Sequence, residues 1–338
     1  MTPRKPAAFG WLLHARPQIA ALMLLLALNM VIAPGFLSLQ VQDGRLYGSL
    51  IDLLNRGAPV ALLALGMSMV IATRGIDLSV GAVMAIAGAC AAVMVNGGAP
   101  WPLAVLGALG AGLACGLWNG VLVAVVGIQP IVATLILMVA GRGVAQLITD
   151  GRILTFVDPH LAAIGSGAFL GLPIPVWIVI AAAALLILLV RKSALGLFIE
   201  AIGVNPRASW LAGVNARLVL IAVYAMSGLM AAAAGLIVAA DIRGADANNA
   251  GLWLELDAIL AAVIGGASLY GGRLSLSLAL MGVYTLQALK LAILRSGLPA
   301  EFNLIIMALL IAAILALQSP FGGGLLKRLS FRRAETRA

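Results

Sequence analysis

Charge is what this sequence has least of. Only 10% of its 338 residues are charged and 63% are apolar, with a mean hydropathy of +1.13. A soluble domain carries about 25% charged residues, so a soluble globular reading is excluded. Cysteine is scarce as well: Cys90 and Cys115 both fall inside apolar runs. That excludes a disulfide framework or a thiolate metal site and leaves them as small packing residues. The two histidines, His14 and His160, lie far apart near loops. There is no His-Glu-x-x-His, no Cys/His cluster and no Gly-x-Ser-x-Gly, so hydrolase and metalloenzyme chemistry has no support and no enzyme is expected. The net charge of +9 and pI of 10.4 are not a nucleic-acid signal. The basic residues are scattered through loops beside apolar runs, which is a topology pattern.

What is abundant is long apolar sequence. The runs are too long for barrel strands, which alternate over about ten residues. They predict an all-α polytopic membrane protein with about ten transmembrane helices. The expected spans are Ile19–Ala33, Pro59–Ala72, Val80–Val95, Leu103–Val126, Ile131–Ile148, Pro175–Val190, Leu218–Ala240, Leu256–Leu269, Leu274–Leu294 and Leu304–Leu317. The first follows a basic start but lacks a small-x-small cleavage site, so an uncleaved span is expected. Ten spans return both termini to one side. That side collects Arg4, Lys5, Arg16, Arg74, Arg191, Lys192, Arg207, Arg217, Arg273 and the basic tail from Lys327, against only Asp77, Glu200 and Glu335. Basic loops mark the cytoplasm, so the N and C termini are expected to be cytoplasmic. The whole chain, 1–338, reads as a single transmembrane domain.

Two stretches echo each other. Asp77–Ala89 aligns without gaps on Glu255–Ala267, each opening with an acid and running into a span. The two spans are five apart and so enter from opposite sides. That is the pattern of an inverted repeat, in which a solute path follows the pseudo-symmetry axis.

The longest polar interruption, 191–217, contains a complete short-helix signal. Asn205 can cap an N-terminus, Pro206 suits the first helical position, and Gly213 can take the left-handed conformation that closes a helix. About two turns of helix are not stable alone in water, so this helix must dock on something. The membrane interface, where Trp210 would sit well, and a groove on a partner protein both answer.

Other polar residues stand in or near spans. Asp77 could cap the third span or form part of a gate with Ser79. Asp257 lies just inside a span, where a charge is costly unless paired or hydrated. Asn119, Gln129, Thr134 and Gln146 could bond solute hydroxyls or neighbouring helices equally well. The stretch Asp241–Asp257 is either a solvated loop or the mouth of a path. Gly112, Gly116 and Gly120 recur every fourth residue, a spacing that lets helices pack backbone to backbone. Gly266–Arg273 lacks the Lys-Ser/Thr end of a phosphate loop. An ion-coupled secondary transporter, with Asp77 and Asp257 as coupling acids, would explain the repeat but not the well-capped short helix.

The motifs TRGIDLSVG, IQPIVATL, FIEAIGVNPRASWLAGVN and LELDAILAAVIGGASLYGG, in this order, resemble the permease subunits of bacterial monosaccharide ABC importers, the ribose/galactose class. LILMVAGRGVAQLIT and AADIRGADANNAGLWLELDAIL are similar to the galactofuranose-importing subgroup in particular. Arg74 departs from the small residue the family commonly has before Gly-Ile-Asp. The resemblance implies a pore-forming subunit in the bacterial inner membrane that binds no cofactor itself. ATP would be held by a separate ATP-binding cassette subunit. The 191–217 loop would be the coupling element, with Glu200, Gly203, Asn205, Pro206, Arg207, Gly213 and Asn215 moved by that partner. A periplasmic sugar-binding protein would deliver the monosaccharide, and a second permease subunit, the same or related, would complete the pore.

Overall fold

The computed structural model describes residues 7–297 apart from positions 34 and 43, with a few more between 299 and 309. The expected last span, Leu304–Leu317, falls mostly outside them. The described chain is nearly all helix. It runs α1 (Ala7–Ile32), α2 (Ser49–Ala72), α3 (Val80–Asn96), α4 (Trp101–Val121, continued by a π turn at Leu122–Val126), α5 (Pro130–Ile148) and α6 (Pro159–Ser166). It continues through α7 (Ile174–Lys192), α8 (Leu195–Val204), α9 (Pro206–Leu211), α10 (Ala216–Asp241), α11 (Leu254–Ile264) and α12 (Leu276–Arg295). Proline opens several of these, at Pro130, Pro159 and Pro206, where the missing N–H costs no bond. Among the described residues six helices are long and apolar enough to cross a membrane: α2, α4 with its π turn, α5, α7, α10 and α12.

Several expected boundaries move, and the first helix begins at Ala7, not Ile19. The second span starts at Ser49, not Pro59, and Pro59 lies inside α2. A proline within a membrane helix is tolerated where neighbouring helices cover the backbone it disturbs. The span expected at Leu256–Leu269 is helical only over Leu254–Ile264. Eleven residues rise about 16 Å, half of a hydrocarbon core of about 30 Å.

The helices pack as a bundle with two distinct ends. Small residues bring α4 and α10 together: a Cβ added to Gly112 or Gly116 would stand 2.4 Å from Ala232 Cβ or Tyr224 O. The glycine stripe is therefore a packing seam, as its spacing suggested. α10 packs against α2, α3 and α4, while α2 packs against α10, α11 and α12. An alanine-rich core runs between them, from Ala58, Ala61 and Ala64 of α2 to Ala231 and Ala234 of α10 and Ala258, Ala261 and Ala262 of α11.

At one end sit α8, α9, the C-terminus of α2 and the α11–α12 connection. Ile199 and Ile202 seat α8 in a cluster with Leu65, Val70, Leu186, Val223 and Leu276. At the far end three short antiparallel pairings hold the connections. They are Gln40–Gln42 with Arg45–Tyr47, Leu154–Thr155 with Gly244–Ala245, and Ala168–Phe169 with Leu172–Pro173.

Candidate functional site

Three places concentrate the polar chemistry: the start of α3, the start of α11, and the α8–α9 end.

Between α2 and α3 the chain turns at Thr73 and Arg74, where Arg74 takes a left-handed conformation, passes through Gly75–Asp77 without helix and begins α3 inside the bundle. Asp77 is 2% exposed and is tied to Ser227 Oγ, which donates to its Oδ2 over 2.8 Å. Ser227 lies eleven residues into α10, roughly 16 Å from the start of that helix, and is itself buried. Asp77 Oδ1 accepts from Ser79 N (3.0 Å) and Ser79 Oγ (2.6 Å). Asn119 Nδ2 of α4 donates to Ser79 Oγ (2.8 Å). Thr134 Oγ1 of α5 lies 3.1 Å from Ile76 O. Four helices thus converge on one turn through neutral donors. Asp77 is not the cap of α3: Ser79 holds that position, with no side-chain cap bond. The carboxylate reaches sideways to α10, because in a buried setting those hydroxyls are the donors at hand.

The start of α11 mirrors this from the other direction. After α10 the chain dips back from the far end, and Gly251 meets Gly81 in the first turn of α3. A Cβ on Gly81 would lie 2.4 Å from Gly251 O and 2.9 Å from Glu255 Oε2. Trp253 then takes a left-handed conformation (φ 66°) and α11 begins. The dipping segment is therefore not wholly a solvated loop: part of it is packed inside the bundle. Arg142 of α5 clamps it, with Nη1 donating to Ala247 O (3.0 Å) and Ala250 O (2.6 Å). Gln146 Nε2 adds a bond to Asn248 Oδ1 (2.7 Å). The Asp246 carboxyl is held below the usual range. Partial burial opposes ionisation there, but the Asn249 side chain, the backbone N–H groups of Asn249 and Asn248, and Arg142 outweigh it. Asp257, 8% exposed, forms a salt bridge with Lys290 of α12. Its intramembrane charge is thus paired, as expected of a charge kept in a span.

The α8–α9 end is built as the sequence implied. Asn205 Oδ1 accepts from Arg207 N (3.1 Å) and Ala208 N (3.0 Å), capping α9. Gly213 closes it at φ 83°. Asn215 in turn caps α10 through Leu218 N. α9 is a short projection. Trp210 and Leu211 are 69% and 74% exposed, and Leu197 and Val204 of α8 extend the same apolar surface. Two of the expected coupling residues face inward instead. Gly203 sits where a Cβ would be 1.9 Å from Ala72 O and 2.4 Å from Gly272 N. Glu200 Oε1 accepts from Leu274 N (3.0 Å). Arg74 joins the same junction, donating from Nε to Tyr270 O (2.8 Å) and from Nη2 to Val204 O (2.7 Å).

The structure thus gathers Asp77, Ser79, Asn119 and Thr134 on one turn. It sets Asp257 apart on α11, Gln146 at the far end, and Gln129 exposed just ahead of α5 at the α9 end. Sequence reasoning missed Ser227, Arg142 and Lys290. The last two carried a signal, as basic residues inside apolar runs.

Residues 49–315 match the family of permease components of branched-chain amino acid transport systems. The chain is 59% identical to the galactofuranose transporter permease protein of Escherichia coli K12 over 303 residues, 90% of this chain and 89% of that one. It is 40% identical to the fructose import permease protein of Bifidobacterium longum, covering 89% and 86% of the two chains. It is 36% identical to the ribose import permease protein of Haemophilus influenzae, covering 91% and 94%. No solved structure matches.

Proposed function

This chain belongs to the family of permease components of branched-chain amino acid transport systems, and on that premise we propose that it is the membrane-spanning subunit of an ATP-driven monosaccharide importer. The relatives named above are transport permeases for sugars, which favours a sugar over an amino acid. Galactofuranose or a similar sugar is the solute this reading takes. The membrane is the bacterial inner membrane, crossed by about ten spans in two inverted halves. The α9 end faces the cytoplasm with both termini. The packing of α10 on α3 and α4, matched by α2 on α11 and α12, supports that repeat.

The observation that carries the reading is α9 itself. It is fully capped, yet Trp210 and Leu211 point away from the bundle. A helix of six residues has too few bonds of its own to be stable; seated in a cleft of an ATP-binding subunit, it is completed. Movement there reaches the membrane through the junction of Gly203, Arg74 and Gly272 and ends at the turn holding Asp77. A sugar-binding protein meets the far end, and a second permease subunit completes the pore.

The test is purification of the tagged protein from native membranes in mild detergent, followed by uptake in vesicles. Recovery of an ATP-hydrolysing subunit, with uptake that stops on ATP depletion, is the expected result. One observation favours a second reading, ion-coupled transport. Asp77 is buried among hydroxyls with no cation beside it in the described residues. Uptake that survives ATP depletion and collapses with an ionophore would establish that reading instead.

A further inference from the structure

A cavity of about 380 Å³ lies between the far-end halves of α2, α11 and α12. Its rim residues Arg56 and Leu294 are exposed, while Val60 and Asp257, deeper in, are buried. It reaches from that exposed rim inward to the first turn of α11. The volume falls within the range of about 300–1,000 Å³ typical of small-molecule sites. Its walls carry a guanidinium (Arg56), a carboxylate (Asp257), an amide (Gln287) and an ammonium (Lys290) among leucines. The matching place in the other half is closed differently: Asn119 of α4 donates directly to Ser79 at the head of α3, with both side chains fully buried.

We propose that this cavity is the resting place of the solute on its way through the membrane, and that Arg56, Asp257, Gln287 and Lys290 select a neutral polyhydroxyl solute. The proposal rests on the transport reading above and names where that transport is selective. Hydroxyls donate and accept at once. They can bond to Asp257 and Lys290 together without separating them, and Arg56 and Gln287 offer planar groups to adjacent hydroxyls. A zwitterionic amino acid would have to break the Asp257–Lys290 pair to place its two charges. That costs several kcal/mol per ion in a low-dielectric setting. An anion or a cation would meet a like charge in either half of the same pair.

The experiment uses the whole transporter in right-side-out membrane vesicles, with Cys90 and Cys115 replaced by alanine and Gln287→Cys introduced. A membrane-impermeant maleimide is expected to label position 287 from outside, and the label to block uptake. D-Galactose or D-fructose at high concentration is expected to slow labelling, and L-leucine to leave it unchanged. Arg56→Gln, a change at an exposed residue with little risk to folding, is expected to raise KM for the transported sugar about tenfold with Vmax retained. That is the loss of roughly one charge-assisted hydrogen bond. No labelling from outside, labelling that no sugar slows, protection by leucine, or an unchanged KM in Arg56→Gln would each overturn the proposal. Failure of the ATP-driven reading shows elsewhere, in unmodified protein whose uptake ignores ATP, and leaves the labelling result to stand on its own.

Discussion

The heads of α3 and α11 occupy matching places in the two halves of the chain, and they are built from opposite materials. At α3 a single acid, Asp77, is held by Ser79 and Ser227, and Asn119 seals the space beside it. At α11 two acids, Glu255 and Asp257, share the region with Arg142 and Lys290, and a cavity opens beside Asp257. The same backbone solution, a helix starting inside the bundle after a non-helical entry, thus serves two ends. The neutral head is packed shut on the side joined to α8 and α9. The charged head opens toward the far end, where solute would arrive. Gly81 and Gly251 let the two heads touch.

The contrast can be broken in steps of falling size. The largest effect is expected where the heads meet. Gly81→Val would drive side-chain atoms into Gly251 O and the Glu255 carboxylate, and the Gly251 backbone is buried and has no room to give. Folded protein in the membrane should fall to near nothing, read by detergent-resistant fluorescence of a C-terminal fusion.

Next comes the charged head. Asp257→Ala leaves the half-buried Lys290 without its partner; removing one member of a buried pair costs about 3–5 kcal/mol, and partial exposure puts the loss here at the lower end, about 3 kcal/mol. The double change Asp257→Asn, Lys290→Gln removes both charges. It should recover most of the thermal stability in detergent while leaving uptake impaired. Recovery of both stability and uptake would make the pair purely structural and erase the contrast.

The neutral head should be less sensitive. Asp77→Asn keeps one acceptor oxygen for Ser79 or Ser227 but not for both. The loss should be about 1–3 kcal/mol, the cost of leaving one buried donor unpaired. Smallest of all is Ser227→Ala, about 1 kcal/mol, with uptake retained. If Ser227→Ala proved as damaging as Asp257→Ala, the two heads would be equivalent in weight and the distinction drawn between them would fail.

What could be read before the structure was local. The caps of α9 are legible because Asn205, Pro206 and Gly213 each act on their own neighbouring backbone, and all three do so as expected. The apolar runs are legible because a bilayer core imposes their length. Hydropathy does not register where a helix gives way to loop within an apolar stretch. The end of α11 at Ile264, five residues before the apolar run stops, was therefore invisible. So was the dip of Gly251 into the bundle, since its contact with Gly81 spans 170 positions of sequence. Pro59 misled for a related reason. A proline opens many helices, including α5 and α9 here, and only the packing around α2 shows that this one lies inside. Asp77 was singled out from the sequence, but its partner Ser227 lies on another helix and no spacing rule links the two. Gly203 and Glu200 were expected in the coupling element with the rest of the 191–217 loop, as the resemblance implied. The turn of α8 sends them inward, to Ala72 and Leu274.

The account stands on α9 being the point of engagement. The direct measurement is a photo-crosslinking residue placed at Trp210, irradiated in native membranes, with the same residue at Tyr47 at the far end as control. The account predicts that position 210 captures a subunit that itself binds ATP, identified by mass spectrometry and nucleotide labelling, and that position 47 does not. Adducts to lipid alone at position 210 would contradict it, because α9 would then be a helix resting on the membrane surface and not one held by a partner.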